Sequence, residues 1–234
     1  MNLAIIGADK SSGIKEELKS TKHMMKINGE YLVERIIRIG QTNRINKIFC
    51  IINTHEPELK NYLSKNKFGI PVKLFVQDTE NSLHSLFVMA PFLMKEPFFL
   101  VTIDMVFNEN EFSEFIAYSL LQEDADGVLA VSKYIEDKEP ICVAMNEEDI
   151  ILKFSDSRDG YSWAAGGIYY FLPNVFNEME YALQAGISNL SKILQILIVK
   201  KYILKGFSFS KIIKVDNSND IAKAENLIME KNNI

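Results

Sequence analysis

No stretch of this sequence is apolar for long enough to cross a bilayer. A spanning helix needs about 20 consecutive apolar residues, and the longest candidate, residues 193–204, is broken by Gln195, Lys200 and Lys201. No membrane partner is expected. Cysteine is scarce: Cys50 and Cys142 stand alone, share no metal or redox spacing and read as small buried hydrophobes in a reducing cytoplasm. Positive charge is short as well, with 26 Lys and Arg against 31 Asp and Glu, a net charge of −5 and a pI near 5.4. Neutralising nucleic-acid phosphates takes clustered cations, so nucleic acid is not expected as a partner. After Met1 there is neither a basic n-region nor a cleavage site, and no secretory leader is expected. Internal repeats and low-complexity tracts are absent, apart from an Asn/Lys-biased end at residues 231–234.

What is present is an ordinary globular composition, 47% hydrophobic and 24% charged, over 234 residues, enough to bury a substantial core. Short apolar runs alternate with segments of helical period, the pattern of crossover units on a mostly parallel sheet. The spacing predicts strands at 3–6, 47–52, 72–76, 98–103 and 127–131, with helices at 31–39, 56–65, 82–94 and 109–121. Continuous apolar runs suit strands covered on both faces. Beyond Tyr134 come extended segments at 141–145, 150–154, 167–171, 207–209 and 212–215, with helices at 174–184, 188–201 and 219–231. They predict an antiparallel or mixed addition to the sheet. No linker interrupts the pattern, so one α/β domain over 1–234 is expected, with 1–133 as its first half and 134–234 as its second.

In an open α/β sheet ligands gather beyond the carboxyl ends of the strands, and five stretches lie there. Gly7-Ala8-Asp9-Lys10-Ser11-Ser12-Gly13 follows the first strand and can present backbone N–H groups to phosphate, or is a plain turn. Ser20 to Gly29 carries Lys22, His23 and Lys26 before a turn; the lysines meet a triphosphate or are solvated. Asp104 ends an interior strand, where it is a hard ligand for Mg²⁺ or caps the next helix. Asp216 ends another short apolar strand and can be the second carboxylate of one metal site, while Asp220 suits the dipole of the following helix. Thr79 to Ser85 gathers hydroxyls and His84 at a helix start, where Ser82 caps the helix or lies near a base.

Taken in order, these stretches resemble the sugar-phosphate nucleotidyltransferases of the GT-A type, also called nucleotide-sugar pyrophosphorylases, over nearly the whole chain. Leu3 to Ala8 stands at the family's first strand and A-A-G-x-G-x-R loop, and Thr21-Lys22-His23-Met24-Met25-Lys26-Ile27-Asn28-Gly29 resembles T-P-K-P-L-L-K-I-N-G. Thr102-Ile103-Asp104 resembles the metal-binding acid, Gly166-Gly167-Ile168-Tyr169 the sugar-side A-G-I-Y, and Asp216 to Glu225 the closing D-x-x-x-D-I-x-x-A-E. The resemblance implies a three-layer Rossmann-like fold and transfer of NMP from an NTP to a sugar 1-phosphate or similar phosphorylated small molecule, with release of pyrophosphate. It implies Mg²⁺ on Asp104 and Asp216. Lys22 would be the catalytic phosphate contact, and Gly7, Ala8, Lys10, Ser11, Ser12 and Ser82 would bind nucleotide. Lys138, Gly166 and Gly167 would face the acceptor, Lys138 belonging to a transposed Lys138-Glu139-Pro140 in place of E-K-P.

The chain departs from that pattern in one loop. Asp9-Lys10-Ser11-Ser12-Gly13 replaces G-x-G-x-R, removing glycines that permit φ > 0 and an arginine fork for phosphate. The alternative this raises is a relative that keeps the fold as a binding or regulatory module. A glycosyltransferase is the third class, although Asp124-Ala125-Asp126, with D-x-D spacing, precedes a strand instead of following one. Base, acceptor and self-association into a homo-oligomer stay open.

Overall fold

The computed structural model describes residues 1–8, 23–136, 140–187 and 190–229. The first half begins with β1 (Asn2–Gly7), a short hairpin of β2 (Lys26–Ile27) and β3 (Glu30–Tyr31), α1 (Leu32–Thr42), β4 (Lys47–Ile52), α2 (Pro57–Lys65), β5 (Val72–Val76) and α3 (Ser82–Leu93). It continues through β6 (Phe98–Thr102), β7 (Met105–Phe107), α4 (Glu109–Leu120) and β8 (Gly127–Ser132). The second half adds β9 (Ile135–Glu136), β10 (Ile141–Met145), β11 (Ile151–Ser155), β12 (Trp163–Phe171), α5 (Val175–Gln184), α6 (Leu190–Val199), β13 (Leu204–Ser208), β14 (Ile212–Lys214) and α7 (Ser218–Met229).

The main sheet runs β11-β10-β12-β6-β1-β4-β5, with β8 joined to β12 and β13 to β8. The β1, β4, β5 and β6 pairs are parallel, and β12 is antiparallel to both β6 and β8, so the predicted mixed, mostly parallel sheet is present. Alternation of side chains along β1 sorts its residues between two cores. Leu3 and Ile5 pack with Val33, Ile36 and Ile37 of α1, whereas Ala4 and Ile6 pack with Leu83, Leu86 and Met89 of α3. Three layers result. Each fully buried Leu or Ile contributes roughly 1.5–3 kcal/mol, so a strand whose six residues are all buried is specified from both faces.

Local signals end the helices. Asn108 caps α4 by accepting from the N–H groups of Asn110 and Glu111 at 2.9 and 3.2 Å. At α7 Asn217 Oδ1 accepts from Asn219 N–H at 2.9 Å while Asp220 Oδ2 accepts from Asn217 N–H at 3.1 Å, a reciprocal capping box. Asp220 is thereby structural, as expected. The β2–β3 turn is Asn28-Gly29 with φ of 50° and 84°, the pair of left-handed residues a two-residue type I′ hairpin demands.

Four short strands, β2, β3, β7 and β9, were not expected from the sequence, whereas β14 falls within the expected segment 212–215. β14 pairs antiparallel with β7 and parallel with β9, forming a small second sheet. Its Val106 and Ile213 share a third core with Val215, Ile27 of the hairpin, and Ala224 and Leu227 of α7. β12 also begins four residues before the predicted 167–171 segment, at Trp163.

Candidate active site

From β1 the chain builds β4 and β5 on one side, then returns to place β6 on the other side of β1. The strand order therefore reverses between β1 and β6, and the crevice at such a reversal is where open α/β sheets bind ligands. Gly7 and Ala8 leave β1 there. Beside them Ile103 N–H donates to Ile6 C=O at 2.9 Å, continuing the β1–β6 ladder to its last step before Asp104. Val215 N–H then donates to Asp104 C=O at 2.9 Å, which brings Asp216 to the next position of the same row. The small sheet missed in the sequence thus places two acids, far apart in the chain, at neighbouring strand ends. Asp104 is buried and Asp216 half-buried.

Among the described residues no group of three or more His, Cys, Asp and Glu side chains is arranged to hold a metal ion. The donor set is a pair of carboxylates. Mg²⁺ commonly takes one or two carboxylates together with substrate phosphates and water, so the pair suits a metal shared with substrate.

The root of the loop after β1 is fixed by polar contacts. Ala8 C=O accepts from the hydroxyls of Thr79 and Ser85, the latter at 2.9 Å, and the two hydroxyl oxygens lie 2.6 Å apart. Both hydroxyl groups are buried, so they serve the backbone of Ala8 and bring the start of α3 against the end of β1. Capping of α3 belongs to Asn81, whose side chain accepts from His84 N–H at 3.1 Å, and Ser82 is the first helical residue. A helix N-terminus carries partial positive charge and free N–H groups. Lys10, Ser11, Ser12, Lys22 and Lys138 lie outside the described residues.

His23, read from sequence only as part of a basic stretch, is buried, with Nδ1 2.5 Å from Glu56 Oε1. Glu56 is itself buried at the N-cap of α2, just beyond β4. Burial, with the Glu56 charge adding to it, pushes the Cys50 thiol up to about 12. Further out Asp78 ties the loops after β4 and β5 together, accepting from Thr54 N–H at 2.9 Å and Thr54 Oγ1 at 2.5 Å.

On the other side of β6, the two expected acceptor glycines have packing reasons of their own. A Cβ on Gly166 would lie 2.1 Å from Ile212 Cδ1. Gly167, at φ 72°, lies in the irregular step of β12, and a Cβ there would lie 2.6 Å from Thr102 Oγ1. Beyond them, where β8 ends and β12 begins, Lys133, Arg158, Tyr161, Ser162 and Trp163 line a cavity of about 60 Å³. Lys133 Nζ stands 4.8 Å from the Trp163 ring centroid, and Arg158 donates to Ile135 C=O at 2.7 Å. Burial raises the Cys142 thiol there and Arg158 opposes the rise. Sequence reasoning missed both cations, because neither belongs to a motif and only the fold joins them. A larger groove of about 470 Å³ lies at the opposite edge, where β5 starts, around Phe68, Ile70 and Pro71.

The family model described as Nucleotidyl transferase matches residues 18–229. Among solved structures, a Bacillus anthracis protein assigned as a glucose-1-phosphate thymidylyltransferase, in complex with a sucrose, superposes with a TM-score of 0.82 at 17% identity. The match covers 97% of this chain and 95% of that one. The inositol-1-phosphate CTP transferase from T. maritima superposes with a TM-score of 0.73 at 19% identity, over 98% and 96% of the two chains. These likenesses establish a shared fold. No curated protein matches the sequence.

Proposed function

Because the chain belongs to the nucleotidyl transferase family, we propose that it moves NMP from an NTP to a sugar 1-phosphate or a similar phosphorylated small molecule, releasing pyrophosphate. The observation that carries this reading is the row of strand ends at the β1–β6 reversal, where Ile103 N–H on Ile6 C=O and Val215 N–H on Asp104 C=O bring Asp104 and Asp216 to neighbouring positions beyond the end of β1. An oxygen of the acceptor phosphate forms a bond to the α-phosphorus, and the bond from that phosphorus to the oxygen bridging it to the β-phosphorus breaks. No protein nucleophile is required; the chain must hold two polyanions together and stabilise the charge that develops.

Asp104 and Asp216 would hold Mg²⁺ against the phosphates, and the ion would supply charge neutralisation there. The backbone of Gly7 and Ala8, with Lys10, Ser11 and Ser12, would cradle the triphosphate; Lys22 would contact it; and Ser82, at the start of α3, would lie near the base. Lys138, Gly166 and Gly167 would border the acceptor. Lys133 and Arg158 support this, being two cations on the same edge of the sheet as Asp104. The superposed enzymes act on glucose 1-phosphate and inositol 1-phosphate by name, which supports a sugar or polyol phosphate as acceptor. Two buried free cysteines support a cytoplasmic setting.

The test is pyrophosphate release from each of five NTPs with Mg²⁺ and a panel of sugar 1-phosphates, inositol 1-phosphate and phosphocholine. Release that requires both one NTP and one acceptor is the expected result. Silence across the panel, with triphosphate binding retained by calorimetry, would instead assign the chain to the binding-module alternative.

A further inference from the structure

A cavity of about 60 Å³ lies where β8 ends and β12 begins, and its lining joins buried Ser132, Ile135 and Cys142 to half-buried Trp163 and exposed Lys133 and Arg158. β6 and β8 both run antiparallel to β12 and are therefore parallel to each other, so β8 ends on the edge of the sheet where Asp104 stands. In an open α/β sheet ligands gather beyond that edge. A water needs about 10–15 Å³ of such space, so the cavity holds about four of them, the bulk of one phosphoryl group. A sugar or polyol ring would have to stay outside it.

Two cations reach this space by different routes. Arg158 opens a turn that closes at Tyr161, whose N–H donates to Arg158 C=O at 3.0 Å, with Gly160 at φ 79° as the third residue of a type II turn requires. Its guanidinium gives one N–H to Ile135 C=O at 2.7 Å, and the group carries its donors in a rigid fork that matches phosphate oxygens. Its charge also acts on the Cys142 thiol of the same cavity, opposing the rise that burial causes. Asp156, the acid acting on that thiol, is tied to α6 by Ser191 Oγ at 2.5 Å. Lys133 comes from the end of β8. Among the described residues it has no carboxylate partner, and its Nζ stands 4.8 Å from the Trp163 ring centroid. A ring face attracts an ammonium group without neutralising it. We propose that this cavity is a phosphate-monoester site: Lys133 and Arg158 take the phosphoryl oxygens and the Trp163 indole carries the organic part, which is neutral because a cationic one would meet Lys133 over the same ring. That the ester is the acceptor of the transfer rests on the proposed function; the site itself does not.

Trp163 is the one tryptophan of the chain, so its fluorescence reports on the cavity directly. Glucose 1-phosphate, inositol 1-phosphate and phosphocholine are each titrated, without NTP, into wild type, Lys133→Met and Lys133→Arg, with melting temperatures recorded alongside. Methionine keeps an unbranched stem against the indole and removes the charge. At least one neutral monoester changes the emission saturably in wild type, and Lys133→Met weakens its binding about tenfold, the scale of one hydrogen bond to a charged group. Lys133→Arg recovers most of the loss, and phosphocholine binds more weakly than that ester. Pyrophosphate release with Mg²⁺ and each of five NTPs then separates two sources of the ester. An acceptor is consumed, and in Lys133→Met its KM rises about tenfold with kcat held within about threefold; a free effector binds at the cavity and is not consumed. Either result supports the site. No emission change with any of the three esters, binding unaltered in Lys133→Met, or phosphocholine binding as tightly as the neutral esters overturns it. Saturable binding that depends on Lys133, with no pyrophosphate released from any pair, overturns the proposed transfer and leaves the site standing.

Discussion

Replacing Gly167 by Ala tests how tightly the step of β12 beside Asp104 is built, and Gly29→Ala supplies its control. Both glycines have positive φ, 72° and 84°, but a Cβ at Gly29 would meet nothing within 4 Å. At Gly167 the same atom would lie 2.6 Å from Thr102 Oγ1 and 2.9 Å from two carbons of Met105. The backbone penalty, about 1–2 kcal/mol for a left-handed non-glycine residue, applies to both, less about 0.5 kcal/mol from the stiffer unfolded chain. Gly29→Ala therefore costs about 1 kcal/mol. Gly167→Ala adds an overpacking cost of about 1–3 kcal/mol, because Thr102 sits on a central strand and Met105 is buried, leaving the new methyl little room. For a chain of this length about 1 kcal/mol moves Tm by about 2–4 °C. Thermal melts followed by circular dichroism should then fall by about 2–4 °C for Gly29→Ala and by about 5–15 °C for Gly167→Ala. Equal shifts in the two variants would show that space at Gly167 is not limiting and would remove the packing account of this glycine.

Three other outcomes follow from the contacts described. Asn108→Ala removes the α4 cap and should cost about 1 kcal/mol, read as a small fall in denaturant midpoint with an unchanged m-value. Glu109 is held below its usual 4.5, chiefly by the hydrogen bond from Arg38 and, against partial burial, by the nearby Arg35 charge. Its folded pKa is depressed, so its contribution is fully present above that usual value and is lost as pH falls through the folded one. Glu109→Gln should flatten the stability–pH profile below about pH 4.5 and cost about 0.5–1 kcal/mol at neutral pH, a half-exposed pair being worth little more. Cys50 and Cys142 are both buried and held as thiols, so native protein should react with Ellman's reagent only at the rate of unfolding, whereas unfolded protein yields two thiols.

Most of the layered fold is legible in the sequence because burial on both faces writes itself as unbroken apolar runs. The residues of β4, β5 and β10 coincide with the predicted segments 47–52, 72–76 and 141–145. Amphipathic period locates the helices, and Asn108, which caps α4, is of a residue type that favours helix N-caps. What escaped is short. β7, β9 and the β2–β3 hairpin hold two or three residues each, too few for a period to register. Missing β7 and its pairing with β14 hid the reason Asp104 and Asp216 meet, although their place after apolar strands marked both. The hydroxyls of Thr79 and Ser85 looked available to a ligand because sequence does not show that the Ala8 carbonyl is buried beneath them. Lys133 and Arg158 meet only through the antiparallel pairing of β12 with β8.

The account turns on Asp104 as the acid at the reversal of the sheet. Its most direct test is the rate of pyrophosphate release by Asp104→Asn beside wild type, at saturating NTP, acceptor and Mg²⁺, with melting temperatures recorded for both. The substitution keeps the shape and removes the charge. A fall of about 100-fold or more with Tm held within a few degrees is predicted, the scale on which single electrostatic groups act in such transfers. Release at the wild-type rate from a folded Asp104→Asn protein would contradict the central claim.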